Sequence, residues 1–205
     1  LGRTARQFDG AIVDWLPDEP GFVLMGRRGG VERVDVRTLR RSAVEPPNRR
    51  AGGFMTDGRG NVRIMESVIP RGSTGMLSSR IPFFYRTRDS ERWRPLGEYD
   101  AVTGEGLYPL AVDPRLDAAY VLQKLDGRRA LYRVALDGSG AAELVHASDE
   151  VDVDATPLWD LRRQTPDGPG LLAYLARFTV AALESGTHVN LMNAEIDLAF
   201  GFIHA

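Results

Sequence analysis

The chain has 205 residues, 43% of them hydrophobic, enough to enclose one core or one core with an appendage. Its formal net charge is -2, which argues against a general nucleic-acid-binding protein, and its lack of cysteine excludes disulfides, thiolate metal sites and cysteine nucleophiles. No run of about 18 apolar residues occurs, so no membrane-spanning helix is expected.

The first residues, Leu1-Gly2-Arg3-Thr4-Ala5-Arg6, contain no apolar stretch of the signal-peptide kind, and the chain starts without Met, as a partial sequence would. Ala11-Ile12-Val13-Asp14-Trp15-Leu16 and Phe22-Val23-Leu24-Met25 flank a turn rich in Pro, Asp and Gly, a strand-turn-strand signal. After a turn over residues 26–30, Val31-Glu32-Arg33-Val34-Asp35-Val36 alternates apolar and polar residues, the period of a strand with one buried face. A further strand over Ser42-Ala43-Val44 is stopped by Pro46-Pro47.

A second unit starts near Phe54-Met55-Thr56, turns at Asp57-Gly58-Arg59-Gly60 and returns along Asn61-Val62-Arg63-Ile64-Met65. A Gly- and Ser-rich loop from Pro70 to Arg80 precedes Phe83-Phe84-Tyr85-Arg86-Thr87, a polar turn at residues 88–91, and Trp93-Arg94-Pro95-Leu96. The third unit has strands at Leu110-Ala111-Val112, Ala119-Tyr120-Val121-Leu122, Leu131 to Leu136 and Glu143-Leu144-Val145, with hairpin turns at Asp126-Gly127 and Asp137-Gly138.

Units one and three match at an offset of 98 to 100 residues, which with one unit between them gives a repeat of roughly 50. Small sheets repeated at that spacing are the sequence signature of a β-propeller, because one thin sheet cannot bury both of its faces and radial stacking can. A two-sheet β-sandwich also shows short, evenly spaced strands, and it is the alternative fold. The expectation is therefore a mainly β chain: a partial β-propeller of about three antiparallel blades over residues 1–154, then a tail over 155–205. In the tail, apolar residues at positions 171, 172, 175, 178, 179, 182 and 183 predict a helix near 171–183, with Pro169 before it and Gly186 after it. The stretch from Met192 to Phe202 reads as a strand or a helix.

Asp14-Trp15-Leu16-Pro17-Asp18, Val34-Asp35-Val36-Arg37-Thr38-Leu39, Phe84-Tyr85-Arg86-Thr87-Arg88-Asp89, Leu125 to Tyr132 and Glu150-Val151-Asp152-Val153-Asp154 occur in order along the chain. As a set they resemble the N-terminal propeller of bacterial prolyl oligopeptidase-family serine peptidases, over roughly residues 9–154. In that family the propeller caps an α/β-hydrolase domain and limits which peptides reach the active site. The resemblance thus implies substrate gating by this segment, peptide substrates, a catalytic α/β-hydrolase partner domain that this sequence lacks, and a cytoplasmic or periplasmic parent. Residues 155–205 depart from the pattern and do not continue the blades.

No catalytic, cofactor or metal residue is assigned. A hydrolase of that fold needs a G-x-S-x-G elbow to lift its serine above the sheet, and no such pentapeptide occurs. Gly72-Ser73-Thr74-Gly75 has the wrong spacing and reads as a loop. His146 reads as a surface residue after a strand. His188 and His204, with Glu195 and Asp197, lack a fixed metal-ligand spacing. Asp149, Glu150, Asp152 and Asp154 read as strand-edge charges rather than a calcium site. The aromatics Trp15, Phe83, Phe84, Tyr85, Trp93, Tyr120 and Tyr132 read as core. Arg37, Arg40, Arg41, Arg49 and Arg50 read as solvated surface, with anion binding as the alternative.

Charge is uneven. Residues 1–97 carry 18 basic and 11 acidic residues, and residues 98–205 carry 8 basic and 17 acidic. Two solvated surfaces explain this, as would attraction between the halves or to a partner. Two further functions stand beside gating: a non-enzymatic propeller binding a protein or small ligand, and an interaction module docking through the helix at 171–183. An incomplete ring with open blade faces is also expected to self-associate or dissolve poorly.

Overall fold

The computed structural model describes residues 10–72 and 76–153; the tail beyond, including the helix expected at 171–183, lies outside the described residues. Within them the chain forms twelve strands in three four-stranded antiparallel sheets. Blade 1 holds β1 (Ile12–Asp14), β2 (Phe22–Arg27), β3 (Gly30–Asp35) and β4 (Arg41–Glu45). Blade 2 holds β5 (Ala51–Thr56), β6 (Val62–Ser67), β7 (Arg80–Tyr85) and β8 (Arg94–Asp100). Blade 3 holds β9 (Tyr108–Asp113), β10 (Ala118–Leu125), β11 (Arg128–Ala135) and β12 (Ala142–His146).

Each sheet uses four consecutive strands in sequence order, and the first strands lie side by side, β1 against β5 and β5 against β9. A Greek-key sandwich would send successive strands to different sheets. Here each meander stays in one sheet and radiates from a shared inner row, so the architecture is a partial propeller of three blades. Antiparallel pairing puts the β1–β2 and β3–β4 turns, and their counterparts, at one end of the blades. The β2–β3 turns and the connections between blades lie at the other. We call these the exit rim and the entry rim.

Two apolar clusters join the blades. Leu16, Leu24 and Val31 of blade 1 pack with Val62 of blade 2, flanked by Phe22, Phe54 and Trp93. Ile64, Phe83 and Tyr85 of blade 2 pack with Val112, Ala119, Val121, Val134 and Leu136 of blade 3. Strand alternation explains the division: in β10, Val121 turns to blade 2, while Leu122, paired with Leu131, faces the opposite way.

The spacing of the blades is uneven, unlike the uniform repeat of roughly 50 residues that the internal match implies. The first strands begin at Ile12, Ala51 and Tyr108, and the long β6–β7 loop accounts for much of the extra length in the second interval. Pro82 is tolerated inside β7 because the β6–β7 pairing ends at Glu66 opposite Phe83, so no ladder bond is lost on that side.

Trp15 does not join the core; it is 54% exposed while Leu16 is 3% exposed. Leu16 takes a left-handed backbone (φ 49) and its amide donates to Asp14 Oδ1 at 3.0 Å, which turns Leu16 inward and Trp15 to solvent. Of the other aromatics, Phe83 and Tyr85 are buried, whereas Phe84, Trp93, Tyr120 and Tyr132 are half-buried.

Candidate functional site

Each inner strand ends at, or one residue before, a buried aspartate on the exit rim: Asp14, Asp57 and Asp113. All three carboxylates accept amide hydrogens from the turn that follows. Asp57 Oδ1 accepts from Arg59 (2.9 Å) and Asn61 (3.2 Å), and Asp113 Oδ1 from Arg115 (2.8 Å) and Leu116 (3.1 Å). Asp14 also reaches across to blade 2, where Oδ2 accepts from the Gly60 amide at 2.9 Å. In the sequence this repeated device shows only as an acidic residue at, or just after, the end of each first strand.

Buried ion pairs cross both blade interfaces. Arg86, after β7, holds both Glu45 carboxylate oxygens of blade 1 (2.6 and 3.0 Å) and lies 4.0 Å from the centroid of the Trp93 ring. Arg63 of β6, its side chain 5% exposed, donates to the Arg86 carbonyl (2.9 Å) and to Asp117 Oδ1 of blade 3 (2.6 Å). Arg88 adds a second contact to Asp117 at 3.3 Å. Unlike residues that merely line a surface, these cations tie one blade to the next.

Near the entry rim, between blades 2 and 3, lies a carboxyl of different character. Glu66 sits on β6, opposite Gly53 of β5 and Phe83 of β7. The two glycines make room for it: a Cβ on Gly52 would stand 2.9 Å from Glu66 Oε1, and one on Gly53 would stand 3.5 Å from Oε2. Tyr108 meets Phe83 edge-on with centroids 5.9 Å apart, and Tyr99 packs 5.1 Å from Tyr108. Burial raises the Glu66 pKa above the usual carboxylate range. Burial also raises the Tyr108 phenol, with smaller contributions from Glu66 and Tyr99. Nothing in the linear pattern set Glu66 apart; its environment arises from residues 52, 83, 99 and 108.

The other residues singled out in the sequence are dispersed. Ser73, Thr74 and Gly75 lie outside the described residues, as do His188, Glu195, Asp197, His204 and Asp154. His146 closes β12 opposite Leu131. Asp149 and Asp152 lie beside the part of β11 that β12 does not reach. The Asp149 carbonyl accepts from Arg128 Nε (2.8 Å) and Asp152 Oδ1 from the Arg129 amide (2.8 Å), pinning the segment after β12 to the start of β11. Among the described residues no group of three or more His, Cys, Asp or Glu could hold a metal ion. The arginine-rich stretch is split: Arg37 and Arg40 lie at the exit rim, Arg41 pairs with Glu32 (3.1 Å), and Arg49 and Arg50 lie at the entry rim.

No family model matches the chain, and no curated protein or solved structure is significantly similar to it.

Three aspartates that open turns, Asp35, Asp100 and Asp137, set the expected acid response. Asp35 is held below the usual carboxylate range first by the Thr38 amide, then by Arg37. Asp100 is held down by the amides of Val102 and Thr103, and Asp137 by Ser139. Because their folded pKa values are depressed, their stabilisation is complete above the unfolded value of about 3.9 and is lost as pH falls through the folded values. Urea midpoints should therefore drop below about pH 4, and Asp35→Asn with Asp100→Asn should flatten that drop. An unchanged slope in the double variant would refute the assignment.

Proposed function

We propose that this chain is a substrate-gating propeller segment of a serine peptidase of the prolyl oligopeptidase family. In this reading the α/β-hydrolase partner domain cuts peptides by acyl transfer, and the chain itself does no chemistry. The observation that carries it is the combination of a radial three-blade array with the ordered motifs. Asp14 to Asp18 and Val34 to Leu39 fall on the exit-rim turns of blade 1, and Leu125 to Tyr132 spans the β10–β11 hairpin of blade 3. Such an array places rims of loops around an axis, the geometry a gate over a separate active site requires.

The test is turnover. The purified chain should leave chromogenic dipeptide and prolyl substrates uncut. Hydrolysis abolished by a serine-directed inhibitor would overturn the reading. The coding sequence immediately 3′ of this frame should specify a hydrolase domain.

A second reading, a non-enzymatic propeller binding a protein or small ligand, draws on the exposed apolar side chains of Trp15, Leu39 and Leu116, which share the exit rim. Absence of a downstream hydrolase would favour it. Either reading leaves a partial ring, for which light scattering should show association; a sharp monomer peak would count against that expectation.

A further inference from the structure

We propose that the Glu66 notch between blades 2 and 3 binds a guanidinium group, such as an arginine side chain presented by a peptide. The proposal is independent of the peptidase reading, since it concerns recognition by the propeller itself. The neighbouring blade interface shows the chemistry filled from within. There, the Glu45 carboxylate grips Arg86 through two hydrogen bonds while the guanidinium lies over the Trp93 ring. A carboxylate and an aromatic ring together suit a planar, weakly hydrated cation.

Between blades 2 and 3 the same two components meet with no cation of the described residues paired to the carboxylate. The Glu66 carboxylate has no hydrogen-bond or ion-pair partner among the described residues. Two basic residues of blades 2 and 3 are engaged elsewhere: Lys124 holds Glu105 at 2.7 Å and Arg80 lies 3.6 Å from Glu98. The rings of Tyr99, Tyr108 and Phe83 supply the aromatic wall, and Tyr108 is 41% exposed, so the notch opens to solvent. The Gly52-Gly53 pair leaves room on β5 for the Glu66 carboxylate itself. An arriving guanidinium would give the half-buried carboxylate the counter-charge and donors it lacks, which is the costly deficit of a buried acid.

The test is an amide-resolved NMR titration of the full chain with methylguanidinium and N-acetylarginine amide, against butylammonium and N-acetyllysine amide. Saturable shifts centred on Gly52, Gly53, Glu66 and Tyr108 are expected with both guanidinium probes. Tighter binding of the arginine derivative points to a peptide source, and equal binding to recognition of the guanidinium alone. Glu66→Gln should weaken binding on the order of tenfold, and Tyr108→Leu roughly three- to fivefold. Glu66→Gln should keep the fold, because it removes a charge that burial disfavours. Should it nevertheless unfold, Gly52→Ala, whose methyl would displace Oε1, must weaken binding instead. Linear, non-saturating shifts, full affinity in Glu66→Gln, or equal affinity for butylammonium would overturn the proposal.

Discussion

Glu45→Ala is expected to destabilise the fold by about 3–5 kcal/mol, because it strands a mostly buried cation rather than merely deleting a contact. Arg86 has few substitutes for that carboxylate. Its Nε is already buried without a hydrogen-bond partner, and the carboxylate of Glu91, 3.2 Å away, belongs to a side chain almost wholly in solvent. Glu45 is 6% exposed, so no bulk water screens the pair from its side. The sign should reverse in a matched double replacement. Glu45→Leu with Arg86→Met removes both charges, and well-packed apolar substitutes for buried pairs are often neutral or stabilising. Urea unfolding of the two variants reads the difference directly. If Glu45→Ala loses less than about 1 kcal/mol, the pair behaves as a solvated surface contact and does not tie blade 1 to blade 2.

The blades became legible where local signals agreed. The alternation over Val31 to Val36 marks β3, Pro46-Pro47 closes β4, and Asp126-Gly127 turns β10 into β11. The weak points share a cause. Ala51-Gly52-Gly53 opens β5 with two residues of low strand preference, kept because Glu66 and Val68 need the space beside them. Glu98-Tyr99-Asp100 ends β8 without apolar alternation, since Tyr99 is held by Tyr108 from the next blade. Gly106 is set by the connection that follows β8: its φ is +96, and a Cβ there would stand 2.0 Å from the Glu98 carbonyl oxygen. Such constraints come from neighbours across a sheet, a connection or a blade interface, and a linear pattern carries no record of them. The Glu66 notch was unreadable for that reason, and Trp15 was misplaced because one left-handed residue, Leu16, reversed which neighbour turns inward.

Truncating Ile64 should measure how far each blade depends on the next. Ile64 is 1% exposed, and the cluster around it draws Phe83 and Tyr85 from its own sheet and Val112, Val121, Val134 and Leu136 from blade 3. Ile64→Val should cost about 0.5–1.5 kcal/mol and Ile64→Ala about 2–5 kcal/mol, the larger figure applying if the rigid sheets cannot close on the cavity. For a chain of this size each kcal/mol lowers the melting temperature by roughly 2–4 °C, so the alanine variant should be plain in calorimetry. Val31→Ala, in the cluster between blades 1 and 2, probes the other junction. In a stacked array each unit contacts only its neighbours, so the two losses should add to within about 0.5 kcal/mol. Strong coupling would mean that the three sheets share one continuous core. A loss below about 1 kcal/mol for Ile64→Ala would mean that blade 3 does not cover blade 2, and the radial stack would lose its main support.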